Sequence, residues 1–299
     1  MYVKRLWTGL LLWMTCTLLF SQSNTPSSFK LPKSLPEVSG LYYQDQDSWW
    51  WHNDSGRGPI LYKTNARGQL LDSIHVPQAL NRDWEDLTVD PQGRFYIGDF
   101  GNNRNNRQDL CIYRFDPLKG TLDSILFHYP DQKAFPPPKG QRHFDMEAFF
   151  WHADTLHLFS KNKPRGKNFY TRYYTLSAEP GRQTAHLKDS LYLKKGVVTA
   201  AAISPDGQTI ALLAYRQYNI LGFIPYLYNR IFYLKAYPKG KFTKGDVYYR
   251  RLRGFPVPKQ YESVDFLNNQ QVAIASEQMV FFRARARLLE VRRARRLKK

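Results

Sequence analysis

The sequence predicts an all-β fold, a β-propeller of four-stranded antiparallel blades, and three observations carry that prediction. A polar residue opens a strand-like run five times, and a second polar residue follows fourteen to seventeen positions later: Glu37 with Asp54, Glu85 with Asp99, Glu147 with Lys161, Thr199 with Tyr215 and Glu262 with Glu277. The opening positions are spaced by 48, 62, 52 and 63 residues, a period that points to an array or propeller rather than one irregular sheet. Aromatic residues make up 15% of the 299-residue chain, which is core material that favours strands.

Each unit is justified by its own turns. The first reads VSGLYY, SWWWHN, PILYKTN and LLDSIHV. The second is the clearest: EDLTVD, a turn at Pro91, Gln92 and Gly93, RFYIGDF, then DLCIYRFD, a loop around Gly120, and TLDSILFHY. Four strand runs separated by Gly/Pro turns make one blade. The third unit gives EAFFWH, a turn at Ala153 and Asp154, TLHLFSK, NFYTRYYTLS and HLKDSLYL. The fourth gives TAAAIS, a turn at Pro205, Asp206 and Gly207, QTIALLAY, RIFYLKAY and KGDVYYRRL. The fifth shows SVDFL, QVAIASE and MVFFRARARLL, one strand short. The stretch near Phe29 can supply the missing strand and close the ring. Five blades are legible, and a sixth of weak sequence is left open. Helical periodicity is absent except in the last dozen residues.

Residues 1–23 are expected to be a signal peptide: Lys4 and Arg5 precede an apolar run over residues 6–20 and a small-residue exit. An uncleaved anchor is the alternative. Residues 24–34 form a polar linker, residues 35–288 the propeller, and residues 289–299 a short basic tail. The chain is therefore expected to be exported, to the periplasm, the outer membrane or the medium. Cys111 would then be the one cysteine left, in a strand-like run where a buried apolar role outweighs a nucleophilic one. Of the formal +19 charge, residues 283–299 carry nine Arg or Lys against one Glu. Outside the cytoplasm such a tail meets anionic lipid or acidic polysaccharide rather than nucleic acid, or is simply solvated. The partner of the propeller is expected to be a small molecule or an envelope component, and the chain a monomer.

Two segments depart from the repeat. Residues 134–141 are a Pro-rich connector, and residues 217–229 an apolar insertion that suits a lid, a membrane-touching loop or a longer strand pair. Trp49, Trp50 and Trp51 suit packing between blades better than sugar stacking.

In a propeller the residues that open the first strand and close the second meet at one mouth of the channel. Glu37, Asn53, Asp54, Asp83, Glu85, Asp99, Asn102, Asn103, Asp145, Glu147, Lys161, Asn162, Tyr215, Arg216, Glu262 and Glu277 are the candidates there. So many carboxylates need cations, protons or backbone N–H groups beside them. A calcium ion takes oxygen ligands, for which Asp99, Glu85, Glu147, Glu262 and Glu277 are the expected set. Asp54, Asn102, Asn103, Arg107, Tyr215 and Arg216 are expected to bind ligand. If the site is catalytic, Glu85, Glu147 and Lys161 are its expected machinery. Alternatively, such acids fix blade register by bonding to the backbone of the next blade.

The ordered series NDSG, DWEDL…YIGDFGNN…R, DMEA…LFSKN, VTAAAISPDG…LLAYR and QYESVDF…IASE resembles exported bacterial propellers of the phytase-like, esterase-like-activity group, found in Bacteroidetes-type bacteria. The resemblance covers about residues 35–282. It implies the propeller fold, and it places Asp54, Glu85, Asp99, Glu147, Lys161, Glu262 and Glu277 at the group's polar motif positions. Relatives in the broader six-bladed group include lactonases and calcium-dependent phosphatases with a channel metal. Two functions follow as expectations: a ligand- or partner-binding envelope propeller with a structural calcium ion, or a metal-dependent hydrolase of esters, lactones or phosphoesters. Thr199 departs from the acidic pattern and breaks the symmetry of any metal cage.

Overall fold

The computed structural model describes residues 26–161, 169–220, 224–252, 259–279 and 281–297. The expected signal peptide and Asn162 lie outside the described residues. Five separate sheets form the blades of a five-bladed propeller, so the sixth blade is not realised. Blade 1 is Val38–Asp45, Ser48–Asn53, Ile60–Thr64 and Leu70–His75. Blade 2 is Trp84–Val89, Phe95–Asp99, Cys111–Asp116 and Thr121–His128. Blade 3 is Met146–His152, Thr155–Ser160, Tyr170–Ser177 and His186–Tyr192. Blade 4 is Val197–Ile203, Thr209–Ile220, Ile224–Lys235 and Asp246–Leu252. Blade 5 takes Tyr261–Asn268, Gln271–Ser276 and Arg285–Glu290 from the C-terminal region and Ser28–Lys30 from the N-terminal region.

Local chemistry explains the hairpins. Asp90 Oδ1 accepts from the N–H groups of Gln92 and Arg94, and Gly93 takes a φ of 79° that an L side chain resists. The turn after Met146–His152 holds Ala153 and Asp154 at φ 48° and 55°, as a tight two-residue hairpin requires.

The core sits between blades. Five buried clusters each join neighbouring blades, from Phe100 and Phe149 between blades 2 and 3 to Phe29, Trp49 and Ala286 between blades 5 and 1. Trp49 and Trp51 are fully buried and stacked 6.0 Å apart, and Trp50 packs edge-on against Phe95 of blade 2 at 5.3 Å. None of the three faces a channel ligand. Cys111 is buried, and burial first, then Asp99, pushes its thiol up to about 12, so it is chemically quiet at neutral pH.

Two segments differ from expectation. The last residues are not helical: Val291–Arg293 makes a single 3-10 turn, and Arg295–Arg296 adds a short strand to the outer edge of blade 4. An exposed sheet edge offers unpaired N–H and C=O groups, and those groups take up part of the expected tail. The insertion is a longer strand pair. Thr209–Ile220 and Ile224–Lys235 pair along their whole length, whereas the inner strand ends with Val197 opposite Tyr215 and the outer one with Leu252 opposite Asn229. The excess forms a two-stranded arm beyond the mouth.

Candidate functional site

Every inner strand carries a β-bulge at the same height. The register breaks at Ser39, at Glu85 with Asp86, at Glu147, at Thr199 and at Glu262. Bulges re-aim side chains, here at the channel mouth. The matching positions after the second strands are Asp54, Gly101, Lys161 and Glu277, whose N–H groups donate to the carbonyls of Glu37, Asp83, Asp145 and Gln260 at 2.8 to 3.2 Å. Tyr215 takes that place in blade 4.

Two sequence expectations shift by this register. In blade 1 the ring position is Ser39; Glu37 lies two residues earlier, half exposed and paired with Arg57 at 2.8 Å. In blade 2 the return position is Gly101 rather than Asp99. A Cβ on Gly101 would lie 2.1 Å from Glu85 Oε1 and 2.4 Å from Asp83 Oδ2. Glycine there leaves the two acids room to meet.

Among the described residues, the mouth therefore gathers Asp54, Asp83, Glu85, Glu147, Glu262 and Glu277 around one ammonium, Lys161. Lys161 Nζ donates to Glu147 Oε1 at 2.7 Å and sits 5.6 Å over the Tyr215 ring. Burial opposes its charge, but Glu147, Glu262 and Tyr215 outweigh that and hold the ammonium protonated. Gln260 donates to Glu262 Oε1 at 2.5 Å. The remaining acids share protons: Glu277 hydrogen-bonds Glu262 and is raised to about 10, by burial first and by Glu262 next. Asp54 bonds Asp83 and is raised to about 7, mainly by burial. Burial, then Glu147 and Asp54, also raises Glu85.

Below the mouth, hydroxyls and one more acid tie the inner strands together. Ser39 donates to Glu85 O at 2.5 Å, Ser263 to Ser39 O at 2.9 Å and Thr199 to Tyr261 O at 2.9 Å. Asp86 spans the channel, accepting from the N–H groups of Phe149 in blade 3 and Ala201 in blade 4 at 3.0 and 3.1 Å. The inter-blade role considered for the acids thus falls on Asp86, which the sequence reading overlooked; its only signal is the doubled acid in the second unit.

Several expected residues serve the loops instead. Asp99 accepts from Arg107 Nη1 at 3.1 Å and from Asp83 N at 3.1 Å, which turns it away from the ring and corrects its place in the metal set. Arg107 is held between Asp99, Asp109 and Gly101 O, so it clamps its loop rather than facing ligand. Asn102 is buried, donating to Phe144 O and accepting from the N–H groups of Asn106 and Arg107. Asn103 is exposed on that loop. Arg216 lies on the arm, 5.0 Å over the Phe169 ring.

Asp54, Asp83 and Glu85 can each place a carboxylate oxygen within 4.8 Å of the others. Calcium–oxygen distances of about 2.3–2.6 Å let one ion reach oxygens roughly 5 Å apart. The donors are all hard oxygens, so the residues fit that ion.

The raised acids give a pH dependence of unusual sign. Asp54 and the half-buried Asp265 both rise from 3.8 to about 7 on folding, burial being the main cause, so these two groups hold more protons in the native state than in the unfolded chain in that window. Stability of the metal-free protein is therefore present below about pH 4 and falls as pH rises towards 7, by up to about 1.4 kcal/mol per pH unit for each group. Buried His52 and His157, lowered by burial from 6.5 to about 4, work the other way over that range. Glu85, Asp86, Glu147 and Glu277, all raised chiefly by burial, outnumber them and keep the slope downward. The lowered carboxylates Asp109, Asp116, Asp189 and Glu290 are surface groups and count for little. Urea midpoints in chelator should decline between pH 4 and pH 7; a midpoint that climbs over that range would contradict the assignment.

Fold and site together define a class: a five-bladed propeller with an acid-rich channel mouth. No family model and no curated protein matches the chain. Among solved structures, hydrazine synthase of Kuenenia stuttgartiensis is similar at 13% identity over 81% of this chain, with a TM-score of 0.38. This chain spans 56% of that one, and no role is carried over from it.

Proposed function

We propose that this protein is an exported cell-envelope propeller that binds a divalent cation, calcium by its oxygen chemistry, at the channel mouth and through it a small oxygen-rich ligand. The supporting observation is the convergence of Asp54, Asp83 and Glu85 within 4.8 Å, beside further acids that, among the described residues, the Lys161 ammonium alone balances. Cation binding would release the proton that Asp54 shares with Asp83, so affinity would rise with pH through about 7. Glu85, Glu262, Glu277 and Tyr215 then surround the ligand, with the Glu147–Lys161 pair as the fixed charge beside it.

The test is thermal unfolding in chelator and in calcium. At a calcium concentration one hundred times Kd, binding to the native state alone adds about 2.7 kcal/mol. Asp54→Asn with Asp83→Asn should abolish the calcium-dependent rise in Tm. An unchanged Tm on chelation and calcium return in the wild-type protein would sink the proposal.

One observation favours hydrolysis as a second reading. Glu277 holds a proton against Glu262, the arrangement of a carboxylate pair that can donate and accept in turn. In that reading Glu85 or Glu147 would hold the attacking water and Lys161 would meet the developing negative charge, while a cation held by Asp54 and Asp83 would supply Lewis acidity toward an ester, lactone or phosphoester. A panel of aryl esters, lactones and phosphoesters assayed with Glu277→Gln separates the two: turnover lost in the variant supports hydrolysis, and no turnover by wild type leaves binding alone.

A further inference from the structure

At the far end of the propeller from the acid ring, aromatic rings join the aliphatic packing between blades 3 and 4. His152 pairs with Thr155 at that end of blade 3, whereas Met146 pairs with Ser160 at the mouth. The loop between Lys235 and Asp246 of blade 4 folds over the gap and carries the 3-10 turn Phe242–Lys244. Beneath it run two adjoining grooves of about 620 and 830 Å³ that share Thr155, His157 and Gly240.

The floor is aromatic and uncharged. The Phe242 ring stands edge-on to His157 at 4.9 Å, Tyr237 at 5.0 Å and His152 at 6.0 Å. His157 is sandwiched between Phe150 at 5.0 Å and Tyr173 at 5.9 Å, so its edge rather than its face meets the groove, and it shares a 2.7 Å hydrogen bond between Nδ1 and the Tyr173 hydroxyl. Burial lowers His157 to about 4, so its ring is neutral at pH 7. The rim has the opposite character. Lys188, Lys239 and Lys241 line it, are exposed, and make no ion pair among the described residues. Lys244 is paired with Asp189 at 2.7 Å, and Asp206 opposite accepts from Ser204 Oγ and Gln208 N. Neutral ring edges beneath and uncompensated ammonium groups above suit one chemistry: a planar ring sets its face against those edges, the T-shaped contact that aromatic rings favour, while an anionic substituent reaches the lysines.

We propose that this groove is a second ligand site, separate from the channel mouth, for a small compound carrying a flat ring and one anionic group. The site is independent of the cation at the mouth, which is built from other blades and lies at the other end.

Calorimetric titration of the intact protein with phenyl phosphate, phenyl sulfate and benzoate identifies which anion is preferred. Inorganic phosphate and phenol test each half alone. Expected is saturable binding of at least one ring anion below about 1 mM, with phosphate and phenol each at least about tenfold weaker, a factor of ten being about 1.4 kcal/mol. Lys239→Ala with Lys241→Ala, both on exposed loop positions, should weaken the ring anion about tenfold or more with an unchanged Tm. The His152 and His157 imidazole resonances should shift on titration in wild type, in chelator as in calcium. Wild-type affinity in the double variant, phosphate binding as tightly as phenyl phosphate, or saturation only above about 10 mM would each overturn the proposal.

Discussion

Lys161→Met is expected to lower the stability of the metal-free protein by about 3–5 kcal/mol, the cost of removing one partner from a buried ion pair. The side chains of Lys161 and Glu147 are 9% and 2% exposed, so water cannot take the place of the lost ammonium. Glu85 and Glu262 feel the same charge, and their mutual repulsion grows when it goes. Methionine keeps most of the length and apolar volume of the stem, which isolates the charge from the packing. Calcium should restore part of the loss, because a cation at Asp54, Asp83 and Glu85 supplies positive charge to the same ring. Urea unfolding in chelator, then in calcium, measures both effects. An unchanged midpoint in chelator would mean that protons alone balance the acids.

Asp86→Ala should cost a similar amount, about 3–5 kcal/mol, for a different reason. Its carboxyl receives three N–H groups, from Leu87, Phe149 and Ala201, and each buried donor left without a partner costs about 1–3 kcal/mol. Burial raises the Asp86 pKa while those three N–H groups oppose the rise. Asp86→Asn retains one acceptor oxygen and should lose about half as much. Chemical denaturation of both variants checks the order, and equal losses would show that the volume of the side chain, not its oxygens, holds the blades together.

The blades were legible because their signals are local. Alternating runs and turns such as Pro91, Gln92 and Gly93 need no distant partner to be recognised. The fifth blade is short in sequence because its outer strand, Ser28–Lys30, is three residues long and lies at the other end of the chain; Phe29 alone hinted at it. The ring was legible to within the bulges. A bulge inserts a residue that no periodicity records, so Glu37 stood in for Ser39 and Asp99 for Gly101. The loop polar residues were misread for another reason. Asn102, Arg107 and Asp99 have the composition of a binding loop, but a loop that leaves a buried strand must satisfy its own backbone first, and these side chains do that. Asp86 was hidden by its neighbour: two adjacent acids on a strand point opposite ways, and the pair does not say which one reaches the mouth.

The pairing of Ser28–Lys30 with Arg285–Glu290 has a consequence for how the molecule is made. Ser28 Oγ meets Ala286 O across 258 positions, so the strand Ser28–Lys30 waits for a partner made long after it. At about 5–20 residues per second that wait is roughly 13–50 s. Throughout it, Phe29 and the apolar face of blade 1 that blade 5 will cover remain open to other chains. The ring thus has a vulnerable interval before closure, no shorter than the time taken to make the residues between its two closing strands.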